Sequence, residues 1–168
     1  MCIRDRPWTG QIALDGNLTA DLLAQIAASP LFAAADLRFA PASPGKAERL
    51  LPVMRHPRAT LYVNRQEAGL LCNSAFASSA EGAEGLVAAG AARALVTDGA
   101  RDSSDAKRGA PTLTLPAQAV RQRRITGAGD TFMAAHIFAE NRGASRLQAL
   151  ERAQAAAAAY VAYLEETA

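Results

Sequence analysis

The segment Thr126–Asp130, with the sequence TGAGD, combines bare backbone with one carboxylate. An apolar run of helical periodicity follows, so the segment is predicted to open a helix. The first amides of a helix have no intrahelical partner and lie at the positive end of the helix dipole. Gly127, Ala128 and Gly129 leave those amides open to an anion, and Asp130 could accept a proton from a neighbouring hydroxyl. From these residues alone, a plain turn with Asp130 as a helix cap explains the segment equally well.

Two further polar clusters lie at the ends of predicted strands. Asn64 and Glu67 belong to NRQE, at the end of the strand ATLYVN, and Thr97 and Gly99 belong to TDGA, at the end of the apolar strand ARALV. In α/β sheets, ligands bind at the carboxyl ends of strands, where helices begin. The three clusters are therefore candidates for one site. A strand-end turn and a helix-start charge are the alternative explanation of Asn64 and Glu67.

The elements that must position these clusters alternate between short apolar runs and helical periods, as in an α/β fold. Thr19 is predicted to cap the first helix, Ser43 to cap the second, and RDSSDAKRGA to form a polar loop or hairpin tip. The last two helices are predicted from Gly129 to about Asn141 and from Ser145 to about Glu165. The predicted order, β-α-β-α-β-α-β-loop-β-α-α, indicates a mainly parallel sheet with helices on both faces.

Composition limits the classes of function. The 168 residues are half hydrophobic and one fifth charged, which suits a single globular domain. A net charge of +2 is too small to indicate binding of nucleic acid or an anionic membrane, and no apolar run is long enough to span a bilayer. Cys2 and Cys72 give neither a disulfide framework nor metal-ligand spacing. We therefore expect a soluble cytoplasmic protein. His136 is interpreted as packed or surface-facing rather than catalytic.

In chain order, NRQE, ALVTDGA and TGAGDTF resemble three motifs of the PfkB, or ribokinase-like, family of sugar and nucleoside kinases. The resemblance implies a three-layer αβα ribokinase-like fold and transfer of the γ-phosphate of ATP to an alcohol. Asp130 would be the general base. The amides of Gly127, Ala128 and Gly129 would form an anion hole for the transferred phosphoryl group.

The same resemblance assigns the other two clusters to the nucleotide and its metal ion. Asn64 and Glu67 would hold Mg²⁺ and the phosphates, through water. Thr97, Gly99 and Thr126 would contact the phosphates and the nucleotide. The implied partner is a small-molecule sugar or nucleoside, with no nucleic acid polymer and no membrane, and homodimerisation of the full-length parent is left open.

Two segments favour a subgroup of the family. FAPASPGKAERL resembles the Pro-Val-Ser-x-x-Lys-Ala segment of pseudouridine kinases, with Ala42 in place of valine, and LDGNLT resembles their Asp-x-Asn-Leu stretch. A pseudouridine-type kinase is therefore predicted first, and another sugar kinase of the ribokinase or fructokinase type second. A cap at Ser43 and a loop over residues 15–17 are the purely structural alternative.

The sequence departs from the family pattern at two positions. Arg124 lies six residues before Asp130, where many members carry Asp or Asn and the Asp helps to hold potassium. A guanidinium cannot bind a cation but could replace one, so the kinase is predicted to need no potassium. Equal rates with and without potassium would support this prediction, and strong stimulation by potassium would contradict it. A solvated basic edge strand is the structural alternative for Arg124. Asp102 occupies the position of the second glycine in Thr-x-Gly-x-x-Gly.

The start of the chain carries separate expectations. Residues 1–6, MCIRDR, resemble the translation of a transposase adapter, so they are expected to be a non-native leader. Residues 7–168 are then expected to be the C-terminal portion of one PfkB-type kinase domain, without its N-terminal part. The alternatives are an inactive fragment and a nucleotide-binding module without turnover. A dinucleotide binder is disfavoured because TGAGD lacks the Gly-x-Gly-x-x-Gly spacing.

Overall fold

The computed structural model of the chain describes residues 6–121 and 125–162. Within these residues, six strands form one sheet in chain order: β1 (Gln11–Asp15), β2 (Asp36–Ala40), β3 (Ala59–Asn64), β4 (Arg93–Thr97), β5 (Asp102–Lys107) and β6 (Leu113–Pro116). The helices are α1 (Ala20–Ala28), α2 (Leu51–Met54), α3 (Arg65–Cys72), α4 (Ser79–Ala88), α5 (Ala128–Asn141) and α6 (Arg146–Ala162). Short 3₁₀ segments lie at Pro30–Phe32 and Pro44–Leu50.

The sheet is mainly parallel, as predicted. Strands β1 to β4 pair in parallel, and β5 and β6 extend the sheet by antiparallel pairing. Parallel neighbours need long crossover connections, and the helices α1 to α4 lie within those connections. The carboxyl ends of β1 to β4 therefore meet at one edge of the sheet.

Helices cover both faces of the sheet and enclose two apolar cores. Along β3, Leu61 and Val63 face the core beneath α1 to α4, whereas Tyr62 faces the core beneath α5 and α6. Alternation along a strand sends successive side chains to opposite faces, so a strand buried on both faces is apolar almost throughout. The three-layer αβα architecture is therefore confirmed.

Two local predictions were wrong, and one was confirmed. The side chain of Thr19 accepts the Leu22 amide at 3.2 Å and caps α1, as predicted. Ser43 makes no capping bond, and the predicted second helix is a 3₁₀ segment that continues into α2. Pro52 lies in the first turn of α2, where a residue without an amide donor is tolerated, so a new helix starts there.

The segment predicted as a polar loop contains β5. Its polar side chains are buried against partners far away in sequence, which a local pattern cannot reveal. The Ser104 hydroxyl hydrogen-bonds those of Ser79 at 2.7 Å and Thr114 at 2.8 Å. Paired in this way, buried polar groups lose little by leaving water.

Two sequence predictions concern residues that the structure does not describe. Arg124 and residues 1–5 of the expected leader lie outside the described residues. Of the helices in residues 6–121 and 125–162, none is long and apolar enough to cross a membrane.

Candidate active site

Helix α5 begins from a turn that only glycine fits well. Gly127, the N-cap, has a φ of +92°, in the left-handed region that favours glycine. A Cβ at this position would overlap the hydroxyl of Tyr160 on α6. That hydroxyl donates to the carbonyl of Thr126 at 2.9 Å. Helix α6 therefore fixes the turn, through a residue that sequence reasoning missed because no motif contains it.

The amides at the start of α5 are only partly used. The Gly127 carbonyl accepts both the amide and the hydroxyl of Thr131, each at 2.9 Å. The amide of Ala128 donates to the Ile125 carbonyl at 3.1 Å. Among the described residues, the amides of Gly129 and Asp130 meet no protein acceptor. The amides of Gly129 and Asp130 are therefore available to an anion. The Gly127 amide also meets no acceptor among the described residues, so only Ala128 of the three predicted amides is engaged within the protein.

The carboxylate of Asp130 faces a cleft and does not cap the helix. Asp130 is exposed in the first turn of α5, and its side chain makes no hydrogen bond or ion pair with any residue that the structure describes. The capping alternative raised by the sequence is therefore not realised. A carboxylate held beside open amides remains available to accept a proton.

A cleft of about 340 Å³ lies between the start of α5 and the carboxyl ends of β2, β3 and β4. The predicted site residues that line it are Asn64, Glu67, Thr97, Thr126, Gly127, Gly129 and Asp130. The loop after β2 closes its other side with Pro41–Pro44. Three clusters that are separated by up to 66 positions in the sequence thus share one space.

Asn64 and Glu67 form a reciprocal cap at the start of α3. The side chain of Asn64 accepts the Glu67 amide at 2.9 Å, and the Glu67 carboxylate accepts the Asn64 amide at 2.8 Å. The structural alternative for these residues is therefore realised. The same side chains also line the cleft, so capping orients them toward it.

The surroundings of Glu67 fit a hard cation. Glu67 is 6% exposed, and burial raises the pKa of its carboxyl, with partial compensation from the Asn64 amide. It has no cationic partner among the described residues, and carboxylate oxygen is a preferred ligand of Mg²⁺. Those residues contain no group of three or more His, Cys, Asp or Glu able to hold a metal ion. Water and phosphate would therefore have to supply most ligands of a bound Mg²⁺.

An ion pair joins the second and third clusters. Arg65, the first residue of α3, donates from Nε to the carboxylate of Asp98 at 3.0 Å and from Nη1 to the Phe76 carbonyl at 2.6 Å. Asp98 directly follows β4. The pair therefore fixes the start of α3 against the end of β4.

A second, largely apolar cleft of about 130 Å³ continues from the first. The two clefts share Thr97, Ile125, Gly129 and Phe132. Gly99 and Ala128, the remaining predicted site residues, lie in the second cleft. Its apolar side includes Ala157, Ala158 and Val161 of α6. A ligand with a charged part and an apolar part could occupy both clefts at once.

A buried ion network under the second half of α5 was not predicted. It consists of three arginines and three carboxylates, together with Tyr62 and His136: Asp36, Arg38, Arg93, Asp105, Glu140 and Arg146. Its members come from β2, β3, β4, β5, α5 and α6. The three positive and three negative charges balance. No local motif marks the network, because every charge except that of Asp36, which pairs with Arg38 in the same strand, has partners in other elements.

Asp105 is the centre of this network. It is fully buried and accepts two hydrogen bonds from Arg93, at 2.9 and 2.7 Å, and one from Arg146 at 3.1 Å. Burial would raise the pKa of Asp105, but these arginines lower it overall. Glu140 on α5 contacts Arg93 at 2.6 Å and Arg38 at 2.8 Å. The ion pairs therefore hold the end of α5 against the sheet.

His136 is packed inside the network, one of the two placements that the sequence left open. The pKa of His136 is lowered to about 4, chiefly by burial; the charge of Glu140 opposes this effect and that of Arg93 adds to it. Arg93 can only donate, so the contact of 3.3 Å between Arg93 Nη2 and His136 Nε2 requires Nε2 to accept. The ring is then neutral, and Nδ1 donates to the Tyr62 hydroxyl at 2.9 Å.

Comparison with known proteins relates the chain and its fold to one family. Residues 10–167 match the pfkB family carbohydrate kinase. A carbohydrate kinase from Agrobacterium tumefaciens superposes with a TM-score of 0.75 at 26% identity, over 92% of this chain and 48% of that kinase. The adenosine kinase from Sinorhizobium meliloti superposes with a TM-score of 0.74 at 22% identity, over 92% of this chain and 49% of the other.

One curated protein is similar to this chain in sequence. The Bifunctional protein HldE of Caulobacter vibrioides is 39% identical over 116 residues, which are 66% of this chain and 24% of that protein. The chain thus spans about half the length of the two solved kinases and a quarter of the length of this relative.

Proposed function

Because the chain belongs to the pfkB family of carbohydrate kinases, we propose that it carries the phosphoryl-transfer site of an ATP-dependent sugar or nucleoside kinase. One observation carries the proposal. A single cleft contains the start of α5, where the amides of Gly129 and Asp130 meet no acceptor among the described residues, the Asp130 carboxylate and the buried Glu67. Phosphoryl transfer needs these three elements: anion stabilisation, a base and a group that holds the metal.

The proposed reaction begins with ATP lying across both clefts. Its nucleoside enters the apolar cleft beside α6, and its phosphates point to the start of α5. Asp130 takes the proton of the acceptor hydroxyl as that oxygen attacks the γ-phosphorus. The bond to the β,γ-bridging oxygen then breaks, and ADP leaves. The amides of Gly129 and Asp130 stabilise the charge on the transferred group.

Asn64 and Glu67 are the residues that would hold Mg²⁺, through water. When bound, the ion neutralises charge on the phosphates. Their reciprocal cap keeps the two side chains at the cleft in advance, so little conformational entropy is lost on binding. Thr97, shared by both clefts, and Thr126 complete the contacts around the phosphates.

For the acceptor, we propose pseudouridine first and a ribokinase-type or fructokinase-type sugar second. Support comes from a contact between the two segments that resemble pseudouridine kinases. Lys46 donates to the Asn17 side chain at 2.6 Å, and Arg49 donates to the Gly16 carbonyl at 3.0 Å. These bonds attach the loop after β1 to the 3₁₀ segment that follows the cleft residues Ala42 and Ser43. Acceptor specificity would then depend on this pair of segments.

The test is a transfer assay on the 168-residue chain with Mg²⁺-ATP and pseudouridine, alongside calorimetric titration of Mg²⁺-ATP. Asp130→Asn should reduce transfer by about 10²- to 10⁴-fold, the usual contribution of a general base. It should leave ATP affinity equal or higher, because a like charge near the phosphates is removed. Asp21→Asn, which removes an exposed carboxylate on α1, is the matched control and should change neither quantity.

The outcomes separate the alternatives. Transfer that depends on Asp130 supports the kinase proposal, and transfer to ribose but not pseudouridine would reassign the acceptor. ATP binding without turnover would favour a nucleotide-binding module. Absence of ATP binding would contradict the proposal and favour an inactive fragment.

A further inference from the structure

Two polar side chains in the apolar cleft each have an oxygen that meets no partner among the described residues. The Oδ1 atom of Asp102 and the hydroxyl of Ser103 are both buried, and neither makes a hydrogen bond within the described part of the chain. Ser103 is only 2% exposed. A buried polar group without a partner costs free energy that folding alone does not recover. Two such groups lining one cleft indicate a ligand that supplies their hydrogen bonds.

The chemistry of Asp102 restricts which part of a nucleotide can meet it. A carboxylate only accepts hydrogen bonds, so its partner must be a donor. The phosphates of ATP carry only acceptors and negative charge, and the carboxylate would repel them. The donors of ATP are the two ribose hydroxyls and the amino group of the base.

The positions of Asp102 and Ser103 in the sheet indicate that they lie beside the ribose of the nucleotide and not beside the base. Ser103 pairs directly with Thr97 in the ladder between β4 and β5, and Thr97 lines both clefts. Asp102 immediately precedes Ser103 and is the first residue of β5. The two side chains thus lie close to the junction of the clefts, whereas Ala157, Ala158 and Val161 line the apolar cleft from α6. In a nucleotide, the sugar lies between the phosphates and the base.

We propose that Asp102 and Ser103 bind the ribose hydroxyls of the nucleotide and select ribonucleotides over deoxyribonucleotides. This inference rests on the proposed function, because it requires ATP to occupy the two clefts. Asp102 would accept a hydrogen bond from one hydroxyl, and Ser103 would exchange one with the other. Asp102 occupies the position of the second glycine of the family motif. A glycine at that position would have no side chain to accept a hydrogen bond from the ribose.

The test measures affinities of the 168-residue chain for Mg²⁺-bound ATP, 2′-deoxy-ATP, 3′-deoxy-ATP and GTP. A lost hydrogen bond to a charged group predicts that one of the deoxynucleotides binds about 10- to 100-fold more weakly than ATP. In Asp102→Ala and Asp102→Asn, that ratio should fall to within about 3-fold, because the charged acceptor is absent. Ser103→Ala should reduce discrimination against the other deoxynucleotide. Asp21→Asn is the control and should retain the full ratio.

Failure of the inference can be told apart from failure of the proposed function. If ATP binds and the deoxynucleotides bind equally well, the ribose contact is wrong although the nucleotide site stands. If the Asp102 variants change only the ratio of ATP to GTP, the carboxylate contacts the base and the inference is overturned. If no nucleotide binds, both proposals fail. The Asp102→Ala chain should also unfold at a higher urea concentration, since it no longer buries an oxygen without a partner; a lower midpoint would contradict that reading of the structure.

Discussion

The two ends of helix α5 are built in opposite ways. At its start, Gly127 adopts a left-handed turn. Among the described residues, the Asp130 carboxylate has no partner and the amides of Gly129 and Asp130 meet no acceptor. Toward its end, His136 and Glu140 lie in a network of buried ion pairs and hydrogen bonds. The start leaves polar groups available for a ligand, whereas the end satisfies its polar groups within the fold.

This difference suggests how the candidate site keeps its geometry. Open amides stabilise an anion best when they do not need to reorganise, so the helix that carries them must be held elsewhere. Buried ion pairs add little net stability, but breaking one leaves a charge without compensation. The network therefore favours a single placement of α5. We expect changes at the end of the helix to affect stability and changes at its start to affect binding.

The largest effect on stability is expected for Asp105→Ala. This change removes the carboxylate that Arg93 and Arg146 share and leaves the buried Arg93 with Glu140 alone. Loss of one partner of a buried pair costs about 3–5 kcal/mol. The measurement is the free energy of unfolding in urea, with Asp21→Ala as a control expected to lose less than about 1 kcal/mol. Equal losses in the two variants would mean that the network does not hold the fold.

Acidification should weaken the same end of α5. The pKa of His136 is lowered to about 4 from 6.5, so between these values the unfolded chain binds a proton that the folded chain does not. Stability should therefore fall as the pH falls from 6.5 to 4, by about 3 kcal/mol from this group. The lowered pKa values of Asp105 and Glu140 add a loss of the same sign below their unfolded values.

His136→Gln isolates the histidine contribution to this pH dependence. Urea unfolding of this variant should show a shallower slope of stability against pH between 6.5 and 5 than the parent chain. His56→Gln is the comparison outside the network: burial lowers the pKa of His56 as well, so this variant should also flatten the slope, but by less than His136→Gln. A slope that His136→Gln leaves unchanged would contradict the assignment of a buried neutral ring.

At the start of the helix, two glycines should respond differently to the same substitution. Gly127→Ala imposes a left-handed alanine and an overlap with Tyr160, and should cost about 1–3 kcal/mol. A Cβ on Gly129 meets nothing within 4 Å, and alanine favours a helix, so Gly129→Ala should be neutral or stabilising by up to about 1 kcal/mol. Urea unfolding of both variants checks this contrast, and equal destabilisation would contradict the described turn.

The smallest effect on stability is expected for Asp130→Asn. The carboxylate makes no bond with the described residues, so the free energy of unfolding should change by less than about 0.5 kcal/mol. Thermal and urea unfolding measure this directly. A destabilisation above about 1 kcal/mol would assign the carboxylate a structural role, such as the cap that the sequence left open.

Much of the fold could be predicted from local patterns. The parallel strands β2, β3 and β4 are short apolar runs, and Thr19 is a cap whose partner lies three residues away. Seven of the predicted site residues line one cleft, because strand ends and helix starts coincide at that edge of the sheet. Their chemical roles remain predictions. The choice of acceptor and the independence from potassium, which rests on Arg124, also remain predictions.

The elements that were missed depend on contacts between distant residues. β5 resembles a loop in sequence because Asp105 is charged, and its burial follows only from Arg93 and Arg146. Tyr160 supports the Gly127 turn from a helix that begins 19 residues after it. Neither contact leaves a local pattern in the sequence.

The central claim is that the start of α5 binds the phosphates while its end stays fixed. Titration of Mg²⁺-ATP into the ¹⁵N-labelled chain, followed by NMR of the backbone amides, tests it most directly. We expect large shifts for Gly129 and Asp130 and little change for Glu140 and Arg93. Shifts that are confined to other parts of the molecule, or an unchanged spectrum at saturating nucleotide, would contradict it.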